Sequence, residues 1–194
     1  MKKFLISTSM FFLVFFILEK SAYYFLNRTS KREYDKRLEY LIEGKINKDL
    51  IVLGSSIGAS NILAGQIEKE TELKSYNLAY PGTDALFHVF VLKTLLKFNN
   101  KPKVIILTID NPYEFIYEES LKFRLDRLYP LSKYNYINNE LIYQKENNIL
   151  SKFFCLARLN KKHLKFSEIK VPFENPIDSF GSMPFIIKRN VIET

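Results

Sequence analysis

Between Asp49 and Gly58 a run suited to a buried strand, Leu50-Ile51-Val52-Leu53, passes directly into Gly54-Ser55-Ser56. Consecutive apolar residues without alternation suit a strand covered on both faces, as in the parallel sheet of an α/β layer. The small residues that follow suit a tight strand-to-helix turn, and a serine on such a turn has its hydroxyl pushed clear of the sheet, as a nucleophile requires. Open α/β sheets carry their sites at this carboxyl end of the strands. The same three residues also serve as plain punctuation where a strand becomes a helix, so the turn alone does not decide its own chemistry.

Downstream, strand and helix patterns alternate. Ile62 to Glu70 reads as a helix and Ser75 to Ala79 as a second, shorter strand. Asp84 to Phe98 reads as an apolar helix closed by Asn99-Asn100 and Pro102, and Lys103 to Asp110 as a third strand with the β-branched run of a fully buried position. Asn111-Pro112 marks its end. This βαβαβ rhythm predicts a parallel, doubly wound sheet with right-handed crossovers. Beyond Tyr113, Glu118 to Leu128 and Asn138 to Leu159 read as mostly helical, Glu174 to Met183 as a loop and Phe185-Ile186-Ile187 as a short strand. No convincing fourth parallel strand follows, so the expected sheet is either small and capped by helices or short of its carboxyl-terminal portion.

The amino terminus belongs to a different environment. Lys2 and Lys3 precede an uncharged run from Phe4 to Leu18; Glu19-Lys20 interrupts it, and Ser21 to Leu26 continues it. As a helix the first run reaches only about 22 Å, against a hydrocarbon core of about 30 Å. Adding the turns through Leu26 supplies the length, with Lys3 and Lys20 snorkelling and Tyr23-Tyr24 at headgroup level. A cleaved signal peptide needs a small-x-small site after the apolar run, and Glu19-Lys20-Ser21-Ala22-Tyr23 is a poor one. The reading is an uncleaved anchor over residues 1–26, a helical stalk over 27–48 with an apolar stripe at Tyr34, Leu38, Leu41 and Ile42, and an α/β domain over 49–194. Basic residues crowd both flanks of the anchor, among them Arg28, Arg32 and Arg37, and are partly offset by Glu19, Glu33 and Asp35, so charge alone leaves sidedness open.

Three strand ends carry suggestive residues in order: Gly54-Ser55-Ser56, then Asn77-Leu78-Ala79-Tyr80-Pro81-Gly82, then Asp110-Asn111. The set, from Asp49 to Phe115, resembles the SGNH (GDSL-type) hydrolase superfamily, and in particular its membrane-anchored cell-envelope branch. The resemblance implies a flavodoxin-like parallel-sheet sandwich and a nucleophile at Ser56, with its own backbone N–H and that of Gly82 facing the oxyanion. It also implies acyl esters of a surface polysaccharide or similar polymer as substrate, and a domain on the extracytoplasmic side. Donors preset at a developing oxyanion are worth several kcal/mol. Two blocks depart from the family. Its Gly-x-Asn-Asp is Thr108-Ile109-Asp110-Asn111 here, with acid and amide reversed, which leaves Asn111 as the side-chain donor and Asp110 as a further polar candidate. Its Asp-x-x-His base has no counterpart. Of the two histidines, His88 reads as packed in its helix and paired with Asp84, and His163 as a surface residue. A serine without a base is a poor nucleophile. The resemblance is therefore also compatible with an inactive or shortened relative acting as a membrane-tethered binding or scaffold protein.

Other chemistries are not signalled. No metal-ligand spacing or cofactor motif is present, and Gly54-x-x-x-Gly58 matches neither dinucleotide- nor phosphate-loop patterns. The net charge of +8 is spread along the chain without the basic-aromatic clustering of a nucleic-acid module. The single cysteine, Cys155, excludes an internal disulfide and reads as a buried small hydrophobe.

Overall fold

The structure is a computed structural model that describes residues 1–32, 34–109, 115, 121–159 and 176–185. Chain contacts divide it into two compact units, Met1–Tyr34 with Leu125–Lys170, and Asp35–Arg124 with Val171–Thr194.

The first unit is helical. Helix α1, Lys2–Arg32, contains the one segment among the described residues that is long and apolar enough to cross a membrane, Lys2–Thr29. Phe4, Leu5, Phe11, Phe12, Phe16 and their neighbours are exposed. Its carboxyl-terminal turns differ: Ala22 and Leu26 are buried, and the Thr29 hydroxyl lies 3.2 Å from the Pro130 carbonyl. The region expected to be mostly helical from Asn138 to Leu159 holds a short helix, Asn135–Tyr143, followed by 3-10 turns at Ile149–Lys152 and Leu156–Arg158. The break has a local cause. Lys145 adopts φ +60, which ends the helix, and Asn148 caps the next turn by accepting from the Leu150 N–H at 3.0 Å. Buried Arg158 ties this stretch together, donating to the Ser151 and Lys133 carbonyls and to Asn135 Oδ1. Cys155 is half-buried rather than fully buried.

The second unit contains a parallel three-stranded sheet of order β2-β1-β3, with β1 at Leu50–Leu53, β2 at Ser75–Asn77 and β3 at Val104–Leu107. Leu50 pairs with Ser75 on one side and with Val104 on the other, so both edges of β1 are hydrogen-bonded. All of β1 is buried, as its unbroken apolar run requires. Strand β3 corrects the expectation of full burial. Ile105 is 41% and Leu107 49% exposed, because among the described residues β3 is an edge strand with one neighbour. A central and an edge strand of a parallel sheet share one composition, and only the neighbours tell them apart.

Helix α2, Arg37–Ile42, falls within the expected stalk, yet Leu38, Leu41 and Ile42 are buried. It meets helix α3, Ala85–Phe98, through Asn99, whose side chain donates to the Leu41 carbonyl at 2.7 Å and accepts from the Ile46 N–H at 2.8 Å. Helix α3 starts where expected: Asp84 accepts from the Phe87 N–H at 2.8 Å, and Phe87, Val91, Thr94 and Leu95 form its buried face. The helix expected from Ile62 to Glu70 is present as Ala64–Thr71, starting two residues late because Ile62 and Leu63 are extended, and a separate short helix, Ser56–Asn61, precedes it. From Glu118 to Leu128 the described residues are helical only over Leu125–Leu128. Residues 186 and 187 of the expected last strand lie outside the described residues.

Asp49 gathers the amino-terminal ends of all three strands. Its carbonyl accepts from the Lys103 and Val104 N–H groups, and its own N–H donates to the Lys74 carbonyl at 2.7 Å. Its carboxylate lies 2.8 Å from Lys103 Nζ, which holds that carboxyl below the usual carboxylate range. A depressed folded-state pKa gives stability that is complete above the unfolded value, about 3.9, and that is lost as pH falls through the folded value. Denaturation midpoints of the detergent-solubilised chain should therefore drop on acidification below about pH 4, and should drop less in Asp49→Asn. Equal drops in the two proteins would contradict this role.

Candidate functional site at the carboxyl edge of the sheet

Because the three strands are parallel, the residues after Leu53, Asn77 and Leu107 all leave the same edge. Backbone bonds continue the pairing past the strands: the Leu78 N–H donates to the Val52 carbonyl at 2.8 Å, Tyr80 to Gly54 at 2.9 Å, and Thr108 to Leu53 at 2.9 Å. The Tyr80–Gly54 bond joins two of the sequence blocks directly. Ser56 lies two residues beyond Gly54 and Gly82 two residues beyond Tyr80. Each is therefore within about 7 Å of that bond by chain reach.

The turn itself is built on space that only glycine leaves. Gly54 has φ +141, and a Cβ there would sit 1.9 Å from Thr108 Oγ1 and 2.9 Å from the Thr108 carbonyl oxygen. Gly58 is equally close-fitted, with Thr108 Oγ1 2.4 Å from where its Cβ would be. The turn thus closes against the end of β3. It leaves Ser55 buried and Ser56 exposed as the first residue of the helix that follows.

Asn77 fixes the second block. Fully buried, it donates from Nδ2 to the Gly58 and Ile62 carbonyls, each at 2.8 Å, and accepts from the Ala79 N–H at 2.8 Å. One side chain therefore holds the helix after Ser56 and the loop toward Gly82 in a single register. Gly82 has φ +70, and the nearest atom to a Cβ there would be 3.7 Å away. Arg124 braces this turn by donating to the Pro81 carbonyl at 2.6 Å.

Beneath the loop lies a group that sequence reading had assigned to a basic flank. Arg37 is 1% exposed, and each of its five side-chain N–H donors has a partner. Nε donates to Asp35 Oδ1 at 2.9 Å, Nη2 to Asp35 Oδ2 at 2.7 Å and to Met183 Sδ, and Nη1 to the Ala79 and Gly181 carbonyls at 2.8 Å each. The guanidinium carbon is 4.3 Å from the Tyr80 ring centroid. Burial disfavours its charge, yet Asp35 overcomes that and lifts its pKa above the ordinary value. A saturated arginine has nothing left for a ligand, so its role is to hold the loop. The signal in the sequence was Asp35-x-Arg37 directly before an apolar stripe, but the carbonyls it serves are 42 and 144 residues away.

Residues 176–183 close the same region. Asp178 Oδ1 accepts from the Phe180 and Ser182 N–H groups at 2.8 Å, Ser182 Oγ accepts from the Ala64 N–H at 3.0 Å, and the Met183 N–H donates to the Ala59 carbonyl at 2.8 Å.

His88 is buried, as expected, but the ring partner seen is Thr83 rather than Asp84, whose carboxylate caps the helix. The Thr83 hydroxyl donates to the Tyr80 carbonyl at 2.6 Å and lies 2.8 Å from His88 Nε2. Asp110, Asn111 and His163 lie outside the described residues. Among the described residues no cluster of histidine, cysteine or carboxylate side chains could hold a metal.

No family model, curated protein or solved structure matches this chain.

The two site glycines should respond differently to a methyl group. Gly54→Ala meets atoms and a disfavoured φ together, and should destabilise the chain by more than about 3 kcal/mol or prevent folding. Gly82→Ala meets only the φ penalty and should cost about 1–2 kcal/mol. Denaturant titration of the two variants checks this, and equal losses would contradict the packing at Thr108.

Proposed function

We propose that this chain is a membrane-anchored envelope protein with an SGNH-type acyl-ester site, its folded domain on the extracytoplasmic side. The substrate class is acyl esters of a surface polysaccharide or a similar polymer. One observation carries the reading: the Tyr80–Gly54 bond sets the Asn77–Gly82 loop beside the turn from which exposed Ser56 projects. Parallel order β2-β1-β3 is the framework a flavodoxin-like sandwich would share.

In this reading Ser56 Oγ attacks the ester carbonyl and forms a tetrahedral oxyanion. The Ser56 and Gly82 N–H groups face that oxygen, with Asn111 as a third donor. Collapse expels the alcohol, and water or a polymer hydroxyl then takes the acyl group. A base must accept the Ser56 proton. In the arrangement seen His88 Nε2 pairs with Oγ1 of buried Thr83 at 2.8 Å within the Tyr80–Thr83 turn, and the sequence offers no Asp-x-x-His to supply the base. The same fact supports a second reading, in which the domain binds the polymer and does not turn it over.

Hydrolysis of short-chain acyl esters by the full chain in detergent micelles decides between them. Catalysis through Ser56 predicts that Ser56→Ala lowers turnover by on the order of 10³-fold or more while Ser55→Ala, if folded, retains it. Turnover indifferent to Ser56→Ala would remove this residue from the mechanism, and a wild-type chain without turnover would favour the binding reading.

A further inference from the structure

The sequence places Glu19 and Cys155 far apart, yet the structure seats one on the other. The Glu19 carboxylate accepts from the Cys155 N–H at 2.5 Å and from the Leu156 N–H at 2.9 Å. One helical turn earlier, the Phe15 ring meets Phe154 edge-on at 5.4 Å between centroids. Phe154–Leu156, the end of the segment Ile149–Leu156, therefore lies along α1 from Phe15 to Glu19, and Phe15 belongs to the uncharged run Phe4–Leu18.

This segment is apolar on its outside. Phe153 is 75% exposed, and Ile149, Leu150, Phe154 and Leu156 are exposed with it. A cluster of large apolar side chains in a single short stretch is not what an aqueous surface selects. Its position relative to α1 identifies what covers it. On the far side of Glu19, Ala22 and Leu26 are buried and Thr29 reaches Pro130, so one face of α1 packs against protein there. On the near side the helix is bare and apolar. The change from one to the other occurs at Glu19-Lys20, where Tyr23 and Tyr24 are also exposed. Aromatic and lysine side chains at such a junction are those of a membrane–water interface.

We propose that Ile149–Leu156 is a lipid-docking wedge, with Phe153, Leu150 and Ile149 inserted at the headgroup–acyl boundary of the bilayer that α1 enters. The proposal rests on reading α1 as the membrane anchor. Glu19 is the device that makes the arrangement tolerable: a carboxylate at the boundary is costly when bare, and here two backbone N–H groups satisfy it while fixing the wedge at that depth. Lys20, next to Glu19, and Lys152, three residues before Cys155, add positive charge suited to anionic headgroups.

The chain contains no tryptophan, so a single introduced indole reports without background. The full chain is reconstituted in vesicles of phosphatidylcholine and phosphatidylglycerol, with either Phe153→Trp or Phe11→Trp. Lipids brominated near the glycerol end or near the methyl end of their chains serve as quenchers. The wedge predicts that Phe153→Trp emits at short wavelength and is quenched most by the shallow bromines. Phe11→Trp is quenched by the deeper bromines if α1 spans. Quenching of Phe11→Trp alone, with Phe153→Trp emitting as a water-exposed indole, would overturn the wedge and leave the anchor standing. An indole at position 153 shielded from acrylamide yet untouched by brominated lipid would overturn it in favour of a protein partner. No quenching at either position would remove the anchor and the wedge together.

Discussion

A buried guanidinium holds the strand-end loop in place. Arg37 is surrounded by protein, and its charge is tolerated because Asp35 meets it through two oxygens while carbonyls and a thioether take the remaining protons. Breaking such a pair typically costs about 3–5 kcal/mol, chiefly because one charge is left buried alone. The carbonyls it engages belong to Ala79 and Gly181. Ala79 precedes the residue bonded to Gly54, and Gly181 lies in the loop whose Phe180 carbonyl accepts from Asn77. Arg37 and Asn77 thus grip the same loop at neighbouring points, one from below and one from the strand end. The geometry around Ser56 is a consequence of that grip.

The sheet places its residues in different environments. Central β1 is wholly buried and needs no side-chain device, whereas β3 exposes apolar residues along an edge. The turn after β1 closes against Thr108 at the end of β3, so the turn that carries Ser56 depends on the least covered strand. The first unit has its own constraint in Glu19, whose carboxylate ties α1 to the backbone of Cys155 and Leu156. Both units use a charged group satisfied by backbone to fix the height of a short segment.

Local features were legible from the residues. The position of β1, the Asp84 start of the apolar helix, and the order of the strand-end blocks follow from periodicity and capping, which act over a few residues. What sequence could not show depends on distant neighbours. The exposure of β3 is set by the absence of an outer neighbour among the described residues, not by Val104-Ile105-Ile106-Leu107 themselves. Arg37 resembled one more juxtamembrane cation until its partners 42 and 144 residues on came into view. The mostly helical stretch after Asn138 is broken at Lys145 and Asn148, where a left-handed residue and a side-chain cap outweigh helical composition. The order of the blocks that carry Ser56 and Gly82 follows from the sequence, but the fit of Gly54 to Thr108 that shapes the turn does not.

The central claim, that Arg37 holds the strand-end loop in the geometry the site requires, is tested most directly by amide hydrogen exchange. The full chain is compared with Arg37→Lys, which keeps a cation but cannot reproduce the fork that joins Asp35 to two carbonyls. The account predicts faster exchange at Leu78, Tyr80 and the amides of residues 180–183, with protection at Ile137–Leu141 unchanged. Equal protection of the Tyr80 amide in both proteins would contradict it.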